Sequence, residues 1–414
     1  MNIYISGITG TGMGPLALMA KTAGFNVFGS DLAKGAIYDE LIKAGIDVFV
    51  GEQDGEFLQK KINEGVDWFC HTSALKEEHP ELVLARKTGI KVTKRDDLTA
   101  FLVEKLGLKM VAVAGTHGKT TTTSMIIWVG LKLGLPVSYI VGTTLGFAPS
   151  GAYHKDDKYF IYEADEYDKN FLKYHPWLAV IPAVSYDHPD IYPTIQDYAA
   201  AFNQFKEQSE QVIESGNVFE AGDFKLAGEA RRKDASLAAE AILKMVQEEN
   251  GTDELLDCSE LVETLNIFPG VGRRFERLAD GVYSDYAHHP EEIMATINVA
   301  KDEVEICKKK GIVVVYQPHQ NTRQHEVFDG YKDAFLGADK IFWLPTYLTR
   351  ENPDLRVIEP GEFIETLSNS EVAEVAELND ELLETLKKYL KDNYLVVLMT
   401  AGPADSWFRD NFCN

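Results

Sequence analysis

Three consecutive α/β segments, each built on a doubly wound parallel sheet, are predicted for this 414-residue chain from three observations. A short apolar strand at the N-terminus runs straight into a glycine turn. A second strand–glycine–helix unit begins at Lys109. Strand-like and helix-like runs then alternate to the C-terminus. That alternation is the βαβ rhythm of parallel sheets covered by helices.

The elements follow in order. Asn2–Ser6 is the first strand and Pro15–Ala23 has helical spacing. Asn26–Phe28, Val48–Val50, Trp68–His71 and Lys91–Thr93 continue the strands. The rhythm restarts after Leu106 with the strand Lys109–Ala114 and a helix from about Thr120 to Leu133. Tyr159–Tyr162 and Trp177–Val184 read as buried strands, Tyr198–Ile213 and Ala235–Gln247 as helices. A third start near Phe268 leads to strand Gly281–Ser284, helix Glu291–Lys308, and strands Ile312–Tyr316 and Leu395–Thr400. The predicted domains are 1–106, 107–266 and 267–414.

Composition narrows the function. A formal net charge of −24 argues against wrapping nucleic acid or binding an anionic membrane. It leaves anionic small molecules open, because a few local cations and backbone N–H groups hold phosphates. Four scattered cysteines, Cys70, Cys258, Cys307 and Cys413, form no CxxC pair, so a disulfide framework or structural zinc is not expected. No apolar run reaches the roughly 18 residues of a membrane-spanning helix. A soluble, cytoplasmic protein is the expectation.

The strongest local signal is Gly115-Thr116-His117-Gly118-Lys119-Thr120-Thr121, set between a buried strand and a helix. Its glycines let N–H groups turn towards phosphate oxygens. Lys119 supplies a point charge to the β/γ-phosphates and Thr120 a hydroxyl for Mg²⁺. Val113 stands where the longer phosphate loop carries its first glycine, so this is the short GxxGKT form. A mere helix-capping turn would not need the lysine and threonine in this order. Two further strands end in Glu163-Ala164-Asp165-Glu166 and in Asp187-His188-Pro189-Asp190. In a parallel sheet those ends share one edge with the phosphate loop, so Glu163 and His188 can converge on the metal region. The bland alternatives are a solvated acidic turn and a surface histidine.

Taken together these residues resemble the Mur ligase family along nearly the whole chain. The phosphate loop continues as Thr121-Thr122-Thr123. Glu163–Glu166 and Asp187-His188 resemble the family's acidic and Asp-His motifs. Gly270-Val271-Gly272-Arg273-Arg274-Phe275-Glu276, Asp285-Tyr286-Ala287-His288-His289-Pro290 and Gln317-Pro318-His319 resemble motifs of its third domain, in the branch acting on UDP-N-acetylmuramate. The resemblance implies a Rossmann-like N-terminal domain, a central P-loop ATPase domain and a Rossmann-like C-terminal domain. It implies ATP and Mg²⁺ as cofactors. The implied reaction is amide-bond formation between the UDP-N-acetylmuramate carboxylate and L-alanine, through an acyl phosphate. A recycled murein peptide is the alternative amine. A monomer or homodimer without nucleic-acid or membrane partners is expected.

Residue roles are implied in the same way. Lys119 and Thr120 hold the triphosphate and one Mg²⁺, while Glu163 and His188 bring a second Mg²⁺ to the reacting carboxylate. Arg274 reaches the γ-phosphate and Asp285 contacts the nucleotide. Tyr286, His288 and Arg323 lie near the incoming amine, with Lys119, Glu163, His188, Arg274 and His288 as the catalytic set. An open apo state closing on ATP is expected. The Gly7–Gly14 loop does not fit a dinucleotide GxGxxG cleanly, and a phosphate loop follows it where a dehydrogenase would place hydride chemistry. Gly10, Thr11, Gly12, Met13 and Asp31 are therefore read as the UDP site, joined by His71, Thr72 and Ser73.

Three departures from the family stand out. Its His-Asn…Asn segment, which contacts adenine, is replaced by Gly228–Asp234 (GEARRKD), where Arg231 is the candidate to stack on a base. The stretch Ile213–Leu226 is too short for the family's extra small sheet. Gln320 stands where the alanine branch has arginine. A P-loop motor, or a decayed ligase that only binds, would each lack ADP release dependent on both a muramate and an amine.

Overall fold

The computed structural model describes every residue except 73, 189, 190, 215, 217, 251–257, 350, 352, 353 and 414. It contains three sheets, two in one compact unit (residues 1–225 and 230–269) and one in a second unit (226–229 and 270–414).

The first sheet is wholly parallel, in the order Asp47–Val50, Asn26–Asp31, Asn2–Ser6, Trp68–His71, Lys91–Lys94. Strand order reverses about Asn2–Ser6, which places a crevice at the carboxyl end of that strand. Helix Gly14–Thr22 begins there with Pro15 in its first turn, where the missing N–H costs nothing.

The second sheet runs Gln211–Ile213, Leu178–Val180, Lys109–Val113, Tyr159–Glu163, Val137–Ile140, Gly151–Ala152, parallel except for the last edge strand. Several hydrogen bonds fasten it to the helices of the first. Ser150 N and Oγ donate to Glu40 at 2.8 and 2.9 Å, and Tyr174 Oη donates to the buried Asp96 at 3.1 Å. One apolar core is continuous from Leu16, Met19 and Leu98 to Ala112, Phe160 and Phe202.

Two expectations are corrected here. The strand predicted over Trp177–Val184 is only Leu178–Val180, because Pro182 has no N–H for the ladder and Val184 is exposed. The helix predicted over Tyr198–Ile213 is Ile195–Glu207, started by a Thr194–Asp197 capping box, and Gln211–Ile213 is an edge strand. Between Ile213 and Leu226 the described residues hold one 3₁₀ turn, Ala221–Asp223, and no strand.

The second unit's sheet runs Glu276–Ala279, Val282–Asp285, Leu395–Thr400, Ile312–Gln317, Lys340–Trp343, Ala373–Val375, with only the first strand antiparallel. Its central strands, Leu395–Thr400 and Ile312–Gln317, are buried throughout, as strands covered on both faces must be.

Candidate active site

The phosphate loop lies between strand Lys109–Val113 and helix Lys119–Lys132. Gly118 has φ +81°, and a Cβ there would sit 2.5 Å from Asp234 Oδ1 and 2.9 Å from Pro182 Cβ. Only glycine fits that turn. Thr116 Oγ1 donates to Ser185 O at 2.7 Å and so ties the loop to the segment that carries His188. His117 is exposed and Thr121 half-buried. Lys119 Nζ donates to Gly115 O and lies 2.9 Å from Glu166.

Thr120 Oγ1 donates to Glu163 Oε1 at 2.8 Å, while Glu163 Oε2 is buried with no hydrogen-bond partner. An orphaned carboxylate oxygen beside a hydroxyl suits a hard divalent cation. Among the described residues no cluster of three or more His, Cys, Asp or Glu could hold a metal alone. Mg²⁺ fits this arrangement, since it takes one or two protein oxygens and completes its shell with phosphates and water.

His188 does reach this edge, but its contact is Glu166. His188 Nε2 lies 3.4 Å from Glu166 Oε1 and 3.6 Å from Asp187. The backbone there has φ +57°, a conformation that costs energy in a residue with a Cβ. Glu166 is 1% exposed and joins Lys119 to His188. Burial alone would push its carboxyl up, but the His188 hydrogen bond and the Lys119 charge outweigh burial and hold it below the ordinary value. The same bond to Glu166 raises the His188 pKa. Glu166 was not among the predicted site residues, although Glu163 and Glu166 bracket one turn after the strand. Pro189 and Asp190 lie outside the described residues.

Since Lys119 is committed to Glu166 without nucleotide, a triphosphate must compete for it. Glu166→Gln should therefore lower the KM for ATP a few-fold. It should lower kcat about tenfold, because His188 loses its anchor. Steady-state kinetics of ADP release would check both; an unchanged KM with unchanged kcat would leave Glu166 a packing residue.

A cavity of about 290 Å³ opens at the first sheet's carboxyl edge, bounded by Gly10–Met13, Thr72, Lys94, Arg95, Asp165 and Tyr167. A Cβ on Gly12 would come within 2.9 Å of Arg95 Nη1, so glycine there admits the guanidinium to the loop. Lys94 and Arg95 were missed in the sequence. Their signal was position, directly after the strand Lys91–Thr93 and on the same edge. Asp31 uses both oxygens within the protein, accepting from Thr9 N and Oγ1 at 2.9 and 2.7 Å and from Leu32 N at 2.8 Å. His71 is buried, which lowers its pKa, and its Nδ1 meets Thr72 O at 3.0 Å. Ser73 lies outside the described residues. The segment that replaces the expected adenine motif opens helix Glu229–Asn250, and burial pushes its Asp234 carboxyl up to about 7.

In the second unit, Asp285 ends its strand with both oxygens engaged, accepting from Phe275 N at 2.6 Å and Ala287 N at 2.8 Å. These bonds hold the turn bearing Arg273 (φ +58°) and Phe275 (φ +51°). The Arg273 and Arg274 guanidinium carbons lie 4.6 and 5.5 Å from the Tyr286 ring centre. His288 Nδ1 meets Tyr286 O at 2.9 Å, and its ring packs against Tyr286 and His319 at 5.3 and 6.0 Å. Burial, with the charges of Arg323 and Arg274, lowers the His288 pKa. Burial, His288 and Arg323 bring His319 down to about 4. Arg323 lies on helix Asn321–Val327. Gln320, with φ +64°, gives its N–H to Tyr347 O at 2.9 Å.

A histidine with a lowered folded pKa binds its proton more readily when unfolded, so stability should fall as pH drops from about 6.5 towards 4. His319 is partly open to solvent, which cuts its share to about 1 kcal/mol. Urea unfolding at several pH values, compared with His319→Gln, should show a shallower slope in the variant.

Residues 2–105 match the family described as Mur ligase family, catalytic domain. Residues 113–218 match the Mur ligase middle domain, and residues 273–402 the Mur ligase, glutamate ligase domain. The UDP-N-acetylmuramate–L-alanine ligase of Fusobacterium nucleatum is 31% identical over 97% of this chain and 94% of its own length. The chain belongs to the Mur ligase family. A second relative of the same name, from Thermosynechococcus vestitus, is 30% identical over 90% of this chain and 85% of its own. Among solved structures, the UDP-N-acetylmuramate-alanine ligase of Thermotoga maritima superposes with a TM-score of 0.78 at 23% identity, over 99% and 98% of the two chains. The murein peptide ligase of Psychrobacter arcticus gives 0.60 at 20%, over the same shares. These two comparisons confirm a three-domain Mur ligase fold.

Proposed function

We propose that the chain is an ATP-dependent ligase that joins the carboxylate of UDP-N-acetylmuramate to L-alanine in peptidoglycan precursor synthesis, acting in the cytoplasm. Its relatives' activity supports the substrates. The observation that carries the chemistry is the Thr120–Glu163 pair with its orphaned oxygen, one residue from Lys119. Among the described residues no helix is long and apolar enough to cross a membrane.

The reaction brings one anion against another, so charge neutralisation and positioning are what the protein must supply. A carboxylate oxygen bonds to the γ-phosphorus as the β–γ bond breaks and ADP leaves. The amine nitrogen then bonds to the acyl carbon and phosphate departs. Bound Mg²⁺ would supply positive charge to the phosphate oxygens. Thr120 and Glu163 would hold it, with His188 kept in place by Glu166. Lys119 and the N–H groups of residues 115–120 receive the triphosphate. Arg274 neutralises phosphate charge. Tyr286, His288 and Arg323 receive the amine. With Nδ1 committed to Tyr286 O, a neutral His288 keeps an Nε2 lone pair able to accept the amine's proton.

The test is coupled ADP release with UDP-N-acetylmuramate, comparing L-alanine, L-serine, glycine and a muropeptide-type tripeptide. ADP release should require the muramate and be fastest with L-alanine. Release driven by the tripeptide and not by alanine would favour murein-peptide ligation, a reading that Gln320 supports because it removes one cation for an amino-acid carboxylate. Release without muramate would overturn both.

A further inference from the structure

Tyr316, Gln324 and Tyr331 lie fully buried in the second unit, and the proposed chemistry uses none of them. Tyr316 is near the end of strand Ile312–Gln317, Gln324 is on helix Asn321–Val327, and Tyr331 closes the 3₁₀ turn Phe328–Tyr331. They form one hydrogen-bonded chain between the backbones of His319 and His288. Gln324 Nε2 donates to His319 O at 3.0 Å, and Tyr331 Oη donates to Gln324 Oε1 at 2.6 Å. The two phenol oxygens are 2.7 Å apart, and Tyr316 Oη lies 3.2 Å from His288 O.

The His319 carbonyl sets the direction of every bond. It can only accept, so Gln324 must turn its NH₂ to His319 and its oxygen to Tyr331. Tyr331 spends its one proton on Gln324 and can only accept from Tyr316. Tyr316 then divides its own proton between Tyr331 and the more distant His288 carbonyl. Burial raises both phenol pKa values, so both stay protonated. The Tyr316 ring centre lies 4.9 Å from Trp343 and 5.3 Å from Phe335, and that of Tyr331 5.3 Å from Trp343 and 5.5 Å from Phe363. In such apolar surroundings a formed hydrogen bond is strong and a broken one costly.

Both ends of the chain carry imidazoles. The His288 and His319 rings meet edge-on at 6.0 Å, and His319 Nδ1 is buried with no hydrogen-bond partner. The spacing of the pair therefore depends on the two backbones.

We propose that Gln324, Tyr331 and Tyr316 are positioning residues that hold His288 and His319 as one unit, so that the incoming amine meets an imidazole pair of fixed spacing. This rests on the proposed role of His288 as acceptor of the amine's proton. Small misplacements of such a group are expensive in rate.

Steady-state ADP release with UDP-N-acetylmuramate tests it, using L-alanine or the tripeptide, whichever wild type accepts. Tyr316→Phe and Tyr331→Phe each remove one oxygen and keep the ring. Each should raise the KM for the amine about fivefold and lower kcat about fivefold, with the KM for ATP unchanged. The double variant should lose no more than Tyr331→Phe alone, because a single break already uncouples the two ends. A merely structural role would lower the melting temperature without this split between amine and ATP. Losses that multiply in the double variant would overturn the coupling, as would a KM for ATP that rises with that of the amine. Wild-type constants in both single variants would overturn it too, while the proposed reaction stands. ADP release by wild type that needs no amine would overturn the proposed reaction and this inference together.

Discussion

Lys119→Ala is expected to lower kcat/KM for ATP by about a thousandfold, some 4 kcal/mol of transition-state stabilisation. The ammonium stands at the N-terminus of helix Lys119–Lys132, within reach of the Gly115 carbonyl and the Glu166 carboxylate. Neither partner needs it for the reaction; a triphosphate tail does. When a carboxylate attacks the γ-phosphorus, negative charge builds on oxygens that only fixed cations and N–H groups can stabilise in a partly closed site. Loss of Lys119 removes the one cation placed by the phosphate loop itself. It also leaves Glu166, 1% exposed, with His188 as its remaining cationic partner, so some loss of thermal stability should accompany the loss of rate. Melting curves separate the two. A folded Lys119→Ala protein that releases ADP at an undiminished rate would sink the proposed mechanism.

Much of this arrangement was legible in the residues because parallel strands deliver their ends to one edge. Trp68–His71 and Leu395–Thr400 emerge with the predicted limits, being short and largely apolar runs. The pairing of Thr120 with Glu163 follows from a phosphate loop and an acidic strand end in adjacent strands, Lys109–Val113 and Tyr159–Glu163. The part that stayed hidden depends on tertiary burial. Glu166 looks like one more acid in a solvated turn, and only packing turns it into the partner of Lys119 and His188. Arg95 has no motif around it, and its meaning comes from the missing side chain of Gly12. Asp285 illustrates the reverse. A motif suggests contact with nucleotide, yet both oxygens already accept backbone N–H groups, so its first work is to hold the Arg273–Phe275 turn. Short edge strands such as Gln211–Ile213 carry too few residues for periodicity to register.

Glu163→Gln isolates the metal's contribution from that of the fold. The amide keeps the size of the carboxylate, and its oxygen still accepts the Thr120 hydroxyl, so helix and strand should stay as they are. What disappears is the anionic character of the buried Oε2, the oxygen without a protein partner. Mg²⁺ prefers anionic oxygen to a neutral amide, and with Thr120 as the other protein donor the loss of one charge removes most of the protein's hold. The half-saturating Mg²⁺ concentration should therefore rise by about tenfold or more. The kcat/KM at low millimolar Mg²⁺ should fall by about two to three orders of magnitude, with partial recovery as Mg²⁺ is raised. A general loss of fold would not be rescued by the ion, so recovery is the discriminating signal. An unchanged Mg²⁺ dependence would mean that the orphaned oxygen is a packing accident and that the metal is held elsewhere, in which case His188, rather than Glu163, becomes the residue to vary next.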